Sequence, residues 1–338
     1  MRAVRIDNGH PTLVSVDSPS GEGVVIDVAS ASICGSDLHL IEMGIVEGRV
    51  IGHEFAGTTP DGTAVAVEPT IGCGACGRCS DGAERDCDGV RSFVGITKDG
   101  GMAEQVIVDP SMLTVLPSGL DVGIAALVEP LAVAAHVVRR VNLAAGERVA
   151  IIGAGPIGLA TAAILRDREV EPVLFARHDH QKAAGESLGA RLAPDGSDGI
   201  SGSDGISGSD EISGSDEISG RSDGGFDVVI DAAGTTASIA EAVSRLKQRG
   251  RIGLVGSLWD PAELDMSLCM KEVSIIPAMG YSGAVGDRDF DLAARVLGNR
   301  PDIADALISH RFPLDAAPEG FAAAADRASG AIKVLFEI

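Results

Sequence analysis

The stretch Arg148-Val149-Ala150-Ile151-Ile152-Gly153-Ala154-Gly155-Pro156-Ile157-Gly158 decides the fold. A short apolar run of strand character enters a glycine turn, and the turn opens an apolar segment, 157–166, with the composition of a buried helix. The glycines allow a tight reversal and let a pyrophosphate approach the helix N-terminus, where unpaired N–H groups and the dipole favour an anion. Alone, the pattern Gly-x-Gly-x-x-Gly is weak; between a strand and a helix it marks a dinucleotide site. Gly153, Gly155, Pro156, Ile157 and Gly158 are the residues expected against the cofactor.

Outward from this turn, strands alternate with helices. Pro172-Val173-Leu174-Phe175-Ala176 precedes a helical stretch at 181–188, and Phe226-Asp227-Val228-Val229-Ile230-Asp231 precedes another at 236–246, followed by Arg251-Ile252-Gly253-Leu254-Val255-Gly256. The alternation predicts a parallel, doubly wound α/β sheet over 145–276. At the end of its second strand, an acidic residue would take the ribose hydroxyls of NAD and repel a 2′-phosphate. This chain has Arg177 and His178 there, with Asp179 following, and Arg177 can pair with a phosphate. NADP is therefore the expected cofactor, with NAD as the alternative.

The crossover between the third and fourth strands carries a repeat, Gly-Ser-Asp-(Gly/Glu)-Ile-Ser, four times over 196–219. Its period of six fits neither helix nor strand, and Gly, Ser and Asp favour turns. The segment 195–223 is expected to be a solvated acidic loop in place of a crossover helix.

Residues 1–144 read differently, as β-rich pieces such as Val24-Val25-Ile26-Asp27-Val28 and Ala64-Val65-Ala66-Val67 between Gly, Pro and Asp turns. This mostly β domain carries Cys73, Cys76, Cys79 and Cys87, whose CxxCxxCx7C spacing lets one loop wrap four thiolates around a tetrahedral zinc. Such a closed set is structural, because no position stays open for substrate. A disulfide pair or a redox CxxC is the alternative. The tail 277–338, ending in Lys333-Val334-Leu335-Phe336-Glu337-Ile338, is too short to fold alone and is expected to return to the first domain.

The chain has 338 residues, 45% of them hydrophobic, enough for two cores. A net charge of -22 argues against nucleic acid or an anionic membrane as partner, and removing the repeat leaves the rest strongly acidic. The most apolar stretch, 149–165, is short and glycine-rich, so no membrane span is expected. The charged start, Met1-Arg2-Ala3-Val4-Arg5, reads as a first strand and not as a secretory signal, and free thiols suit the cytoplasm.

Cys34 in Ile33-Cys34-Gly35-Ser36-Asp37-Leu38-His39, the pair His53-Glu54 after Gly52, and Glu129 in Leu127-Val128-Glu129-Pro130-Leu131 are individually ordinary. Together they supply a sulfur, an imidazole and two carboxylates, a mixed set able to hold zinc with an exchangeable position.

These motifs, in this order, resemble the zinc-dependent medium-chain alcohol dehydrogenase superfamily over nearly the whole chain except the repeat. Val67-Glu68-Pro69-Thr70-Ile71-Gly72-Cys73 and Ala126-Leu127-Val128-Glu129-Pro130-Leu131-Ala132 are most similar to the branch with sorbitol, 2,3-butanediol and threonine dehydrogenases. The resemblance implies a GroES-like catalytic domain over a Rossmann domain, two zinc ions per chain, and a homodimer or homotetramer. It implies that Cys34, His53 and Glu54 ligate the catalytic zinc, with Glu129 binding it directly or through water. It further implies that Ser36 and His39 lead the alcohol proton to solvent while hydride passes to nicotinamide.

Two departures narrow the substrate. The chain between Gly44 and Gly52 is shorter than in relatives, and Gly280-Tyr281 stands where sorbitol dehydrogenases tend to have Arg-Tyr. A small secondary alcohol or vicinal diol is thus favoured over sorbitol. The rival readings are a zinc-free quinone or enoyl reductase of the same fold, and a non-catalytic nucleotide sensor; the retained Ser36 and His39 argue against the sensor.

Overall fold

The computed structural model describes residues 1–80, 87–89, 92–194, 225–283 and 287–338. The acidic repeat therefore lies outside the described residues. Two sheets organise the rest. The first is parallel, in the spatial order Arg191–Leu192, Val173–Phe175, Val149–Ile152, Phe226–Asp231, Leu246–Leu254, Ser274–Pro277. Numbered along the chain, that is 3-2-1-4-5-6, the doubly wound order that reverses beside its first strand and opens a crevice there. Val149–Ile152 is buried throughout, as a central parallel strand covered on both faces must be.

The fifth strand starts earlier than the sequence pattern suggests. Leu246 pairs with Phe226, the register then slips, and Arg251 pairs with Val228. Leu246 is buried while Lys247, Gln248 and Arg249 are exposed, with Arg249 at φ 61°, so a polar bulge hides the strand's beginning.

The second sheet has seven strands, ordered Ile308–Pro313, Lys333–Glu337, Val24–Ser32, Glu54–Thr58, Ala64–Val67, Leu113–Val115, with Gln105–Val108 also paired to Val24–Ser32. The two C-terminal strands thus complete a sheet begun near the N-terminus, Lys333–Glu337 lying antiparallel to Val24–Ser32.

The helix Val128–Arg140 joins the two layers. Its Leu131, Val137 and Val138 are fully buried in one core that includes Ala56 and Ala66 of the second sheet and Val149 and Ile151 of the first. Each such aliphatic side chain contributes about 1.5–3 kcal/mol on burial, which fixes the sheets against one helix. Among the described residues the stretch Val122–Arg140 is long and apolar enough to cross a membrane, but 72% of it is buried within the protein, as a core helix is. The more apolar-looking 149–165 is divided between a strand and the helix Pro156–Asp167.

Candidate active site

At the crevice of the parallel sheet, the strand Val149–Ile152 ends in Gly153, whose φ of 95° favours glycine. Gly158 packs so closely that a Cβ there would lie 1.8 Å from the Gly153 carbonyl oxygen. Only glycine permits this turn. Gly155 caps the helix, Pro156 opens it, and Gly155 faces open space where an anion could approach. The neighbouring turn is held by Asp231, which accepts hydrogen bonds from the Ala233 and Gly234 amides at 2.9 and 3.1 Å and from Ser238 Oγ at 2.8 Å. Arg177 and His178 lie exposed beyond the second strand, and His178 stacks on His180 at 5.5 Å. Arg177 has no ion-pair partner among the described residues, so its guanidinium is available to a ligand.

In the second sheet the structure brings Cys34, His53 and Glu54 together, with ligating atoms all within 4.8 Å of one another. Cys34 caps the helix Gly35–Glu42, and Asp37 one turn on accepts its amide N–H at 2.9 Å. The other oxygen of the buried Asp37 lies 3.2 Å from His53 Nδ1, so Nε2 is the nitrogen left for a metal. Burial opposes protonation of His53, but Asp37 and Cys34 outweigh it and hold its pKa well above the ordinary value.

Glu54 is more heavily engaged than its neighbours. Both its oxygens lie 2.8 Å from Lys333 Nζ, and Ser32 Oγ donates a third hydrogen bond. Lys333 also donates to the Ile33 carbonyl at 3.0 Å, and the pair is almost wholly buried. Burial disfavours the ammonium, yet Glu54, Cys34 and Glu129 raise the Lys333 pKa above its usual value. Glu129, at the start of the helix Val128–Arg140, stands outside the three-residue donor set but faces the same charges. Burial, reinforced by Glu54, pushes its pKa up to about 8.

The four thiols of Cys73, Cys76, Cys79 and Cys87 lie close together. Sγ separations are 4.0 Å for Cys73 and Cys79, 3.5 Å for Cys76 and Cys79, and 3.8 Å for Cys76 and Cys87. Tetrahedral zinc with bonds of about 2.3 Å would set its sulfurs roughly 3.8 Å apart, so the donor set fits the ion. The Cys73 and Gly89 amides donate to Cys87 Sγ, both at 3.2 Å.

Ser36 and His39 lie three residues apart on the helix that Cys34 caps, hence on one face. His39 stacks on Trp259, with ring centres 4.4 Å apart. Sequence reasoning missed four residues of this region as functional candidates: Asp37, Lys333, Tyr281 and Trp259. Asp37 stood inside the quoted Cys34 run. Lys333, one of few lysines, precedes the apolar run Val334-Leu335-Phe336 within its strand, which is itself a signal of a buried partner. Tyr281 was noted only beside an absent arginine; it is buried, and burial together with Glu129 and Glu68 pushes its phenol well above the ordinary pKa. His136 is buried with Nδ1 2.9 Å from Asp289 Oδ2, tying two helices together. Cys269, the remaining cysteine, is exposed.

A GroES-like β unit bearing metal donors beside a 3-2-1-4-5-6 nucleotide sheet defines a zinc-type dehydrogenase. Residues 20–118 match the family profile "Alcohol dehydrogenase GroES-like domain" and residues 156–297 match "Zinc-binding dehydrogenase". The chain belongs to the zinc-dependent medium-chain alcohol dehydrogenase family, and it is an oxidoreductase of that family. It is 30% identical to 2-dehydro-3-deoxy-L-galactonate 5-dehydrogenase of Pseudoalteromonas atlantica, covering 88% of this chain and 86% of that one. Among solved structures, 2R,3R-butanediol dehydrogenase of Bacillus subtilis is 26% identical with a TM-score of 0.81, covering 100% of this chain and 99% of that one. A Sinorhizobium meliloti protein solved bound to NADP is 27% identical with a TM-score of 0.82, covering 100% of this chain and 99% of that one.

Proposed function

We propose that this chain oxidises one secondary hydroxyl of a small vicinal diol or sugar acid, using NADP in preference to NAD. The observation that carries the reading is the sulfur, imidazole and carboxylate donors gathered within 4.8 Å beside a helix bearing Ser36 and His39. The names of the relatives, a sugar-acid dehydrogenase and a butanediol dehydrogenase, support the substrate class.

Cys34, His53 and Glu54, with Glu129, are the residues that would hold the catalytic zinc; Cys73, Cys76, Cys79 and Cys87 would hold a structural one. Bound catalytic zinc supplies Lewis-acid polarisation of the substrate oxygen. The chain's own residues orient the ligands and carry the proton: Asp37 fixes His53, Lys333 balances Glu54, Ser36 takes the hydroxyl proton and His39 passes it outward. Gly153, Gly155, Pro156, Ile157 and Gly158 cradle the pyrophosphate, while Arg177, flanked by His178, pairs with a 2′-phosphate. In this reading residues 1–144 and 277–338 form the catalytic unit, and 145–276 the nucleotide unit. A homodimer or homotetramer in the reducing cytoplasm completes it, since thiolate ligands need reduced cysteines.

The test is the absorbance of reduced nicotinamide formed by zinc-loaded protein with NADP or NAD, over a panel of diols, sugar acids, sorbitol and threonine. Turnover of a diol or sugar acid with NADP supports the reading; turnover of sorbitol or threonine alone would discard the substrate class. Arg177→Ala is expected to raise KM for NADP about tenfold or more, as the loss of a charged hydrogen-bonded pair does, and to leave KM for NAD nearly unchanged. Equal changes for both cofactors would remove Arg177 from phosphate recognition.

A further inference from the structure

We infer that Trp259 is a positioning residue for His39, fixing the imidazole plane while leaving both ring nitrogens to the proton path; this rests on the relay role proposed for Ser36 and His39. Trp259 is the single tryptophan of the chain and lies just beyond the strand Leu246–Leu254 of the nucleotide sheet. His39 lies on the helix Gly35–Glu42, which follows the strand Val24–Ser32 of the other sheet. Their rings stack with centres 4.4 Å apart and planes 24° from parallel, so an aromatic contact joins the two units at the relay.

The kind of contact matters. Proton relay requires a neutral imidazole to accept on one nitrogen while it releases from the other. A carboxylate or carbonyl partner would orient the ring by occupying one of them, as Asp289 does for His136. The His39 side chain makes no hydrogen bond or ion pair among the described residues, and the Trp259 face restrains its plane instead. During oxidation the substrate hydroxyl gives its proton to Ser36 Oγ. Ser36 passes its own through an intervening water to one His39 nitrogen, and the proton on the other nitrogen leaves to bulk water. The C–H bond breaks with its electron pair, which reduces the nicotinamide of NAD(P)⁺, and no net charge stays on Ser36 or His39. Trp259 is 42% exposed, so the side chain serves no core, and its cost in exposed apolar area is accounted for by the ring it holds.

The experiment compares Trp259→Leu, Trp259→Phe and His39→Gln as full-length, zinc-loaded enzymes, with intrinsic fluorescence as a readout independent of turnover. In the stacked state the imidazole covers one face of the lone indole, so His39→Gln is expected to change its emission. Trp259→Leu is expected to lower kcat roughly tenfold near neutral pH, as loss of catalytic orientation does, with recovery at alkaline pH and on adding free imidazole. Trp259→Phe should stay within about twofold of the parent, because a smaller aromatic face still stacks.

If His39→Gln is fully active, the relay reading itself fails and this proposal falls with it. If His39→Gln is impaired but Trp259→Leu is not, the relay stands and the positioning role alone is overturned. A Trp259→Leu loss that is uniform with pH and indifferent to imidazole would likewise overturn it, as would emission unchanged by His39→Gln.

Discussion

The two clusters of candidate metal donors in this molecule are built in opposite ways. Cys73, Cys76, Cys79 and Cys87 come from one fifteen-residue segment and are chemically uniform. Cys34, His53 and Glu54 are chemically mixed, come from a helix cap and a strand start, and Glu54 is neutralised by Lys333, 279 residues away. A local cluster can form before the fold does; a distributed one exists only once the C-terminal strand has docked. The first kind suits a clasp, and the second suits chemistry that must appear only in the finished protein.

The sharpest way to separate the clusters is Cys34→Ala. Removing the sulfur of the distributed set should lower kcat/KM by about 10³-fold or more, since Lewis-acid polarisation contributes several kcal/mol to the barrier. Metal analysis should show one zinc retained, and thermal unfolding should be little changed. Loss of both zincs from Cys34→Ala would mean that the clusters are not independent.

Next in size is Lys333→Met measured on metal-free protein, in which Glu54 is left charged and buried without its partner. A cost of about 3–5 kcal/mol is expected from an orphaned buried charge, read as a lower denaturation midpoint. The pH sign follows from the raised Lys333 pKa. A cation whose folded pKa lies above its unfolded value adds stability below the unfolded pKa, and that stability is lost as pH rises through the folded one. The pair is therefore intact at neutral pH, and its stabilisation fades only in strongly alkaline solution. Lys333→Met with Glu54→Gln should recover most of the loss, because both charges are gone. A double variant no more stable than Lys333→Met alone would place the cost in packing of the lysine stem.

The same contrast explains what the sequence could reveal. The Cys73 loop was legible because all its information is local spacing, and the Gly153 turn because glycine positions between a strand and a helix are dictated by sterics. The mixed set was legible only as separate residues joined by resemblance. Nothing in Gly52-His53-Glu54 announces that Glu54 is clamped by Lys333, since that contact depends on Lys333–Glu337 lying against Val24–Ser32. The His39 and Trp259 stack was hidden for the same reason: it crosses from one sheet's connection to the other's. The early start of the strand Leu246–Leu254 escaped because its first turn bulges outward with polar residues.

Cys87→Ser tests the local cluster and should have the smallest effect on chemistry. The thiolate set would lose its tetrahedron, and one zinc should disappear from metal analysis while the catalytic one stays. Because the sulfurs all lie within one segment, the energy of the lost metal is spent mainly on ordering that loop and not on the core that joins the sheets. Turnover per catalytic zinc should stay within about twofold of the parent, and Tm should fall by only about 2–4 °C, the shift that 1 kcal/mol gives in a large domain. If Cys87→Ser instead abolished turnover with catalytic zinc still bound, the loop would have to act on the active site, and the division into a clasp and a chemical centre would fail.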